Sequence, residues 1–411
     1  MSIVKQVFVR FQKLSFHTGM LLLGIFMIIS VPLCSQTSEK WEFKTDGVIF
    51  GTPLIDGQYI YVGSGDHKMH ALLKETGKKV WEFKTNGEVH SSPLIADNLV
   101  IFGSGDGNLY AIEKNNGKEV WKFSSRGERK NGPWDYYLSS PQLDGNIVYW
   151  GSGDGHLYAL DAKTGMLKWQ HESDGIIHAD PVIHGNKVFI GSFDGNLYAL
   201  NKQDGAIVWK FKTLGSEYFP KGAIQKAVLV DQNMVYFGSR DYNIYALDEH
   251  TGSVKWNMRE PAGWIISTPI ALGNHIFFGT SDAHKFYCLD KNYGNVVWTT
   301  PLRMRVFGSA VEDRNRIIFG TFDGKIIGVD VKTGKQLWEF QTRGSKENYP
   351  SVFDQNGEFI EGFSLYGKDM IETESKILDL GAILSTPVID NQNTLFFGSA
   401  DGYLYALSLE D

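Results

Sequence analysis

Hydrophobic and polar positions along this chain follow one short pattern that keeps returning. In one copy, Ser140-Pro141-Gln142-Leu143 opens an extended segment, and Asp144-Gly145-Asn146 turns the chain. Residues 147–151, rich in β-branched and aromatic side chains, read as a second strand. Gly153-Asp154-Gly155 then makes a tight turn, because glycine adopts positive φ without steric cost. Leu157-Tyr158-Ala159-Leu160 is a third strand, and Thr164-Gly165 turns into a fourth around Trp169. The pattern therefore predicts four short antiparallel strands, here called a, b, c and d.

The turn between b and c marks the copies. Its Gly-x-x-Asp phrase begins at Gly63, Gly103, Gly151, Gly191, Gly238, Gly279, Gly320 and Gly398, so the intervals are 40, 48, 40, 47, 41, 41 and 78 residues. A period near 40 signals a repeated supersecondary unit, and eight four-stranded units predict an all-β, eight-bladed β-propeller. Tryptophan keeps the same count: Trp41, Trp81, Trp121, Trp169, Trp209, Trp256, Trp298 and Trp338 each fall in strand d. Trp41 has no unit before it, while the last unit lacks a strand d. The strand around Trp41 is therefore expected to complete the eighth blade and close the ring without an open edge. Regular placement makes packing between blades the expected role of these tryptophans.

Composition changes this picture at one end only. Lys5, Arg10 and Lys13 precede an apolar run over 20–33, with no acidic residue before Glu39. Residues 1–35 are expected to be a signal peptide and 36–411 a single propeller domain, so the protein is expected to be exported. Cys34 follows Leu33 where a lipoprotein signal has a small residue, which favours a discarded signal cysteine. Only two cysteines occur in the chain, which excludes a disulfide framework. An excess of acidic over basic residues, 47 to 40, argues against a nucleic-acid partner.

The unit resembles the pyrroloquinoline quinone (PQQ) type repeat, with its Ala-x-Asp-x-x-Thr-Gly-x-x-x-Trp signature. Ala159 to Gly165 followed by Trp169 carries it here, as does the stretch from Ala246 to Trp256. The resemblance implies two functional branches. One is a non-enzymatic scaffold of the BamB type, binding envelope proteins of an outer-membrane assembly complex without a cofactor. The other is a small quinoprotein dehydrogenase holding PQQ and calcium. Large dehydrogenases carry an adjacent Cys-Cys pair, whereas the expected mature chain has only Cys288. That departure and a nearly bare propeller favour the scaffold, monomeric and periplasmic, on the periplasmic face of the outer membrane, or secreted. A carbohydrate-binding propeller using loop aromatics is a third reading.

Long d–a connections indicate the working face. They span 124–138, 213–225 and 342–384, and all emerge beside the Gly-x-x-Asp turns. Arg126, Arg129, Trp134, Tyr136, Tyr137, Tyr218, Tyr349 and Phe353 on these loops are the candidate partner-binding residues, since exposed aromatics with arginine suit protein interfaces. Covering the ring is the alternative role for the loops. Residues 345–378 are expected to be removable without unfolding the propeller. Aligning the units places Thr52, Ser92, Ser140, Asp180, Lys226, Thr268, Ser309 and Thr386 around the axial channel, with Asp180 and Lys226 expected to pair. His90, His178, Asp180, Lys226 and Trp264 are the cofactor-binding candidates for the dehydrogenase reading. The Asp residues of the turns lie in separate blades and do not suggest calcium.

Overall fold

A computed structural model describes residues 37–410 except 131, 133, 367 and 368; the expected signal peptide lies outside the described residues. Eight four-stranded antiparallel sheets follow one another around an axis, seven of them with their strands in sequence order. In blade 3 the strands are Gln142–Asp144, Ile147–Gly151, His156–Asp161 and Leu167–Glu172. The eighth sheet departs from this order: Ser38–Lys44 lies against Tyr403–Ser408, followed by Thr394–Gly398 and Val388–Ile389. The N-terminal strand thus completes the last blade, as the unit count predicts.

Strands b and c are buried on both faces because neighbouring blades cover them, whereas strand d alternates between buried and exposed positions. Tryptophan sets the contact from each blade to the next. Trp41 donates its indole N–H to the Lys74 carbonyl, and Trp81 reaches Lys114 in the same way. The glycine of the next blade's c–d turn lies beneath each ring from Trp41 to Trp298. At Gly77, φ is +66°, and a Cβ would meet Trp41 at 2.6 Å, so both backbone conformation and space demand glycine. These tryptophans are structural.

The Gly-x-x-Asp turns are tied by their aspartates. Asp154 accepts from the backbone N–H of His156 at 2.8 Å and from the Tyr158 hydroxyl at 2.5 Å. Side-chain-to-backbone bonding therefore accounts for these residues, as expected for Asx turns. Two helices, α1 (Arg343–Asn348) and α2 (Met370–Asp379), occur in the long connection of blade 7. No helix among the described residues is long and apolar enough to cross a membrane.

Candidate functional site

The innermost positions form a partial belt around the axis. Ser309 donates its N–H to Thr386 Oγ1, Thr386 to Thr52, Thr52 to Ser92, Ser92 to Ser140, and Ser140 to Asp180. The next position is Lys226, whose ammonium has no acceptor to offer, and the belt stops there. Asp180 and Lys226 do not form the expected ion pair. Asp180 Oδ1 instead takes the Ser140 N–H at 2.6 Å, and Lys226 Nζ sits 3.7 Å above the Tyr137 ring. Burial raises the Asp180 pKa and lowers that of Lys226, and each charge opposes the other's shift.

Above this belt the long connections fold inward over the channel mouth. Phe50, Tyr136, Tyr137, Trp264, Phe307, Phe322, Phe353, Ile377 and Leu380 share one buried cluster. Tyr136 donates to Glu374 on α2, and Tyr137 donates to the Leu384 carbonyl at 3.0 Å. Arg305 lies inside the same cap, with Nε 3.0 Å from Asp282 and its other nitrogens near Glu374 and Tyr366. Burial works against its charge, yet Asp282 and Glu374 hold the guanidinium above its ordinary pKa.

His178 is enclosed by carboxylates supplied by the first connection. Its Nδ1 is 2.8 Å from Asp135 and its Nε2 2.6 Å from Glu128. Burial alone would neutralise the ring, but the two carboxylates outweigh it and raise the pKa to about 9. His90 is its opposite. Burial, assisted by the Lys130 charge, lowers the His90 pKa to about 4, and its ring packs on Phe50 at 4.8 Å. Arg240 stacks over Trp264 at 4.7 Å and donates to Gln225 at 2.6 Å.

The five channel-mouth candidates therefore surround the mouth, but they are engaged with the loops. A flat, polycarboxylate quinone needs both space and free cations there. His178 and Arg305 are held by carboxylates and Lys226 by an aromatic face, while the crevice among Trp134, Trp264, Arg305 and Tyr366 lacks room for one water. These residues do not fit PQQ.

The loop candidates divide. Tyr136, Tyr137 and Phe353 are buried, so they are not available to a partner as expected. Tyr349 stacks on Phe353 at 4.7 Å, and Trp134 meets Trp264 edge-on at 5.9 Å. Arg129 lies along the blade 3 turn, donating to the carbonyls of Gly153 and Asp154 at 2.8 Å. Arg126 is exposed, with its backbone N–H bound to Asp154. Tyr218 is 76% exposed, beside Leu214 at 74%. Within 345–378 the structure buries Val352, Phe353 and Ile377 in the cap.

The family model described as outer membrane protein assembly factor BamB matches residues 35–175, 172–271 and 261–411. This chain belongs to that family. Among solved structures, BamB from Moraxella catarrhalis superposes with a TM-score of 0.67 at 17% identity, covering 91% of this chain and 98% of that one. Quinohemoprotein alcohol dehydrogenase from Comamonas testosteroni gives a TM-score of 0.69 at 12% identity, covering 91% of this chain and 77% of that one. At such identities both comparisons speak for the fold alone. A quinoprotein alcohol dehydrogenase, PedE from Pseudomonas putida, is 29% identical over 115 residues, covering 25% of this chain and 18% of the enzyme. The matched segment thus spans under a fifth of that relative.

Asp135 and Glu128, the partners of His178, were not singled out by sequence reasoning. The available signal was a pair of acidic residues within the first insertion, one blade ahead of His178, which leads into the inner strand Val182–His184 of the following blade. Glu374 gave less warning, because Tyr136 and Arg305, which meet it, are distant in sequence, whereas Arg305 was expected near the channel mouth.

Proposed function

We propose that this BamB-family chain is an exported, non-enzymatic scaffold of the cell envelope, with residues 1–35 removed as a signal peptide, and that it assists outer membrane protein assembly. The observation that carries the reading is the plugged axial mouth, where a quinone cofactor would compete with the chain's own side chains. The family match over nearly the whole chain supports the same branch. The mechanism is rigid presentation: blades and cap hold the 213–225 connection in place, and Leu214 and Tyr218 project from it. A cleft of about 260 Å³ beside them is lined by Phe193, Phe219, Pro220 and Arg240, offering an apolar seat for a partner side chain.

The test is affinity purification of the tagged chain from envelopes of its own host. Recovery of the outer-membrane barrel assembly machinery is expected, and Leu214→Asp with Tyr218→Ala should reduce it at unchanged thermal stability. Equal recovery by the double variant would remove the proposed surface. Saturable binding of PQQ plus calcium with turnover of an alcohol would replace the scaffold reading with the dehydrogenase one.

A further inference from the structure

Two neighbouring blades, 6 and 7, depart from a rule that the others follow on the loop-bearing face. The turn aspartate is normally capped by an aromatic hydroxyl four residues later: Asp106 by Tyr110, Asp154 by Tyr158, Asp194 by Tyr198, Asp241 by Tyr245 and Asp401 by Tyr405. Asp66 uses His70 in the same place. In blade 6 Phe286 stands four residues on, and Asp282 takes Arg305 instead. In blade 7 that position is Ile327, which has no donor to give, and Asp323 keeps only the Thr321 hydroxyl among side-chain partners. Asp323 is nevertheless 3% exposed. A deeply buried carboxylate short of a donor is costly, and such positions ordinarily have a partner.

A second loss coincides with the first. The tyrosine ring of a blade normally rests against an aromatic ring from the preceding blade's strand d, as Tyr110 does on Phe83, Tyr158 on Phe123 and Tyr405 on Phe340. Ahead of blade 7 that strand-d position holds Thr300, opposite Phe286 in the ladder. Both departures fall at the same seam. A cavity of about 460 Å³ lies there, with Asp323 and Ile327 in its wall.

The remaining lining indicates what the cavity takes. Phe353 and Phe359, stacked on each other at 5.2 Å, contribute an aromatic side. His284 also contributes to the wall, and its Nε2 is buried without a partner among the described residues. Lys325 is already neutralised by Glu339 at 2.9 Å, and Arg303 is anchored to the Asn356 carbonyl at 3.0 Å. Lys325 is thus compensated by its own carboxylate, and Asp323 itself opposes an anion in the cavity. A neutral molecule bearing several hydroxyls suits Asp323, while its C–H face lies on the phenylalanines.

We propose that the blade 6–7 seam is a saccharide-binding site, in which a sugar hydroxyl takes the place at Asp323 that a tyrosine hydroxyl occupies in five other blades. The site holds one saccharide unit, free or at the end of a glycan. It is independent of the scaffold role, because Leu214 and Tyr218 are not among its lining residues.

The experiment is saturation-transfer NMR on the purified chain with glucose, galactose, mannose and N-acetylglucosamine, each free and as the terminal unit of an oligosaccharide. At least one should bind with a dissociation constant on the order of a millimolar, the range expected for a ligand of about a dozen non-hydrogen atoms. Ile327→Tyr should abolish binding and raise the melting temperature, since it restores the phenol and fills the space. Asp323→Asn should weaken binding by about tenfold or more, as expected for altering a buried polar contact. Binding of free sugars only marks a closed pocket; binding of both forms marks one that accepts glycan ends. No transfer from any sugar, or equal transfer in Ile327→Tyr, overturns the assignment.

Discussion

Trp41 donates its indole N–H to the carbonyl of Lys74 at 2.9 Å, so a residue in the last blade's outer strand clamps the first blade. The same bond recurs at every seam from Trp81 to Trp298. Trp338 is different: its buried Nε1 has no partner among the described residues, because blade 8 has no c–d turn of its own. Trp81→Phe should therefore cost about 1 kcal/mol, while Trp338→Phe should be neutral or stabilising, since it removes an unsatisfied donor. Chemical denaturation of both variants checks this, and an equal loss would contradict it.

The two cap histidines should impose opposite pH limits on stability. His178 has its folded pKa raised to about 9, so its contribution is complete below its unfolded value of about 6.5. It is lost as pH rises toward 9. His90 has its folded pKa lowered to about 4; the unfolded chain binds the extra proton, and stability falls from about pH 6.5 toward 4. Melting temperature against pH should show His178→Gln flattening the alkaline side and His90→Gln flattening the acidic side. NMR titration should find the His178 ring still protonated at pH 8.

Arg305 should matter to the cap more than its single charge suggests. Replacing it with alanine leaves Asp282 and Glu374 facing a buried space without their cation, at a cost on the order of 3–5 kcal/mol. Loosening should concentrate in 342–384, because Glu374 sits on α2. Limited proteolysis should then cut that segment in Arg305→Ala before any blade. Uniform cutting across the chain would show that the cap has no separate stability.

The ring was readable from sequence because every blade repeats the same local chemistry. Eight turns and eight tryptophans report the count, the closing strand and the face on which the insertions emerge. The cap was not readable in the same way. Tyr136 and its partner Glu374 are 238 residues apart, and neither belongs to the repeat. Aromatic residues in a polar loop suggest an exposed surface, yet they suit an inward plug equally well when a hollow axis lies beneath them. Tyr218 stayed outside and Tyr137 turned in, a difference set by what each loop finds across the channel. Asp180 and Lys226 show a smaller version of this effect, since a backbone N–H and an aromatic face satisfied them before they reached each other.

Closing the circle with the first strand also fixes a timetable. Lys40 bonds Thr394 across 354 residues, so the opening strand is made early and finds its neighbours only when the final segment has appeared. Throughout that interval its backbone edge must wait unpaired, a state prone to sticking to other chains. The last blade is therefore the one whose completion joins the two ends of the chain. A chain truncated by a few dozen residues at the C-terminus would lose its companions for that strand as well as a blade.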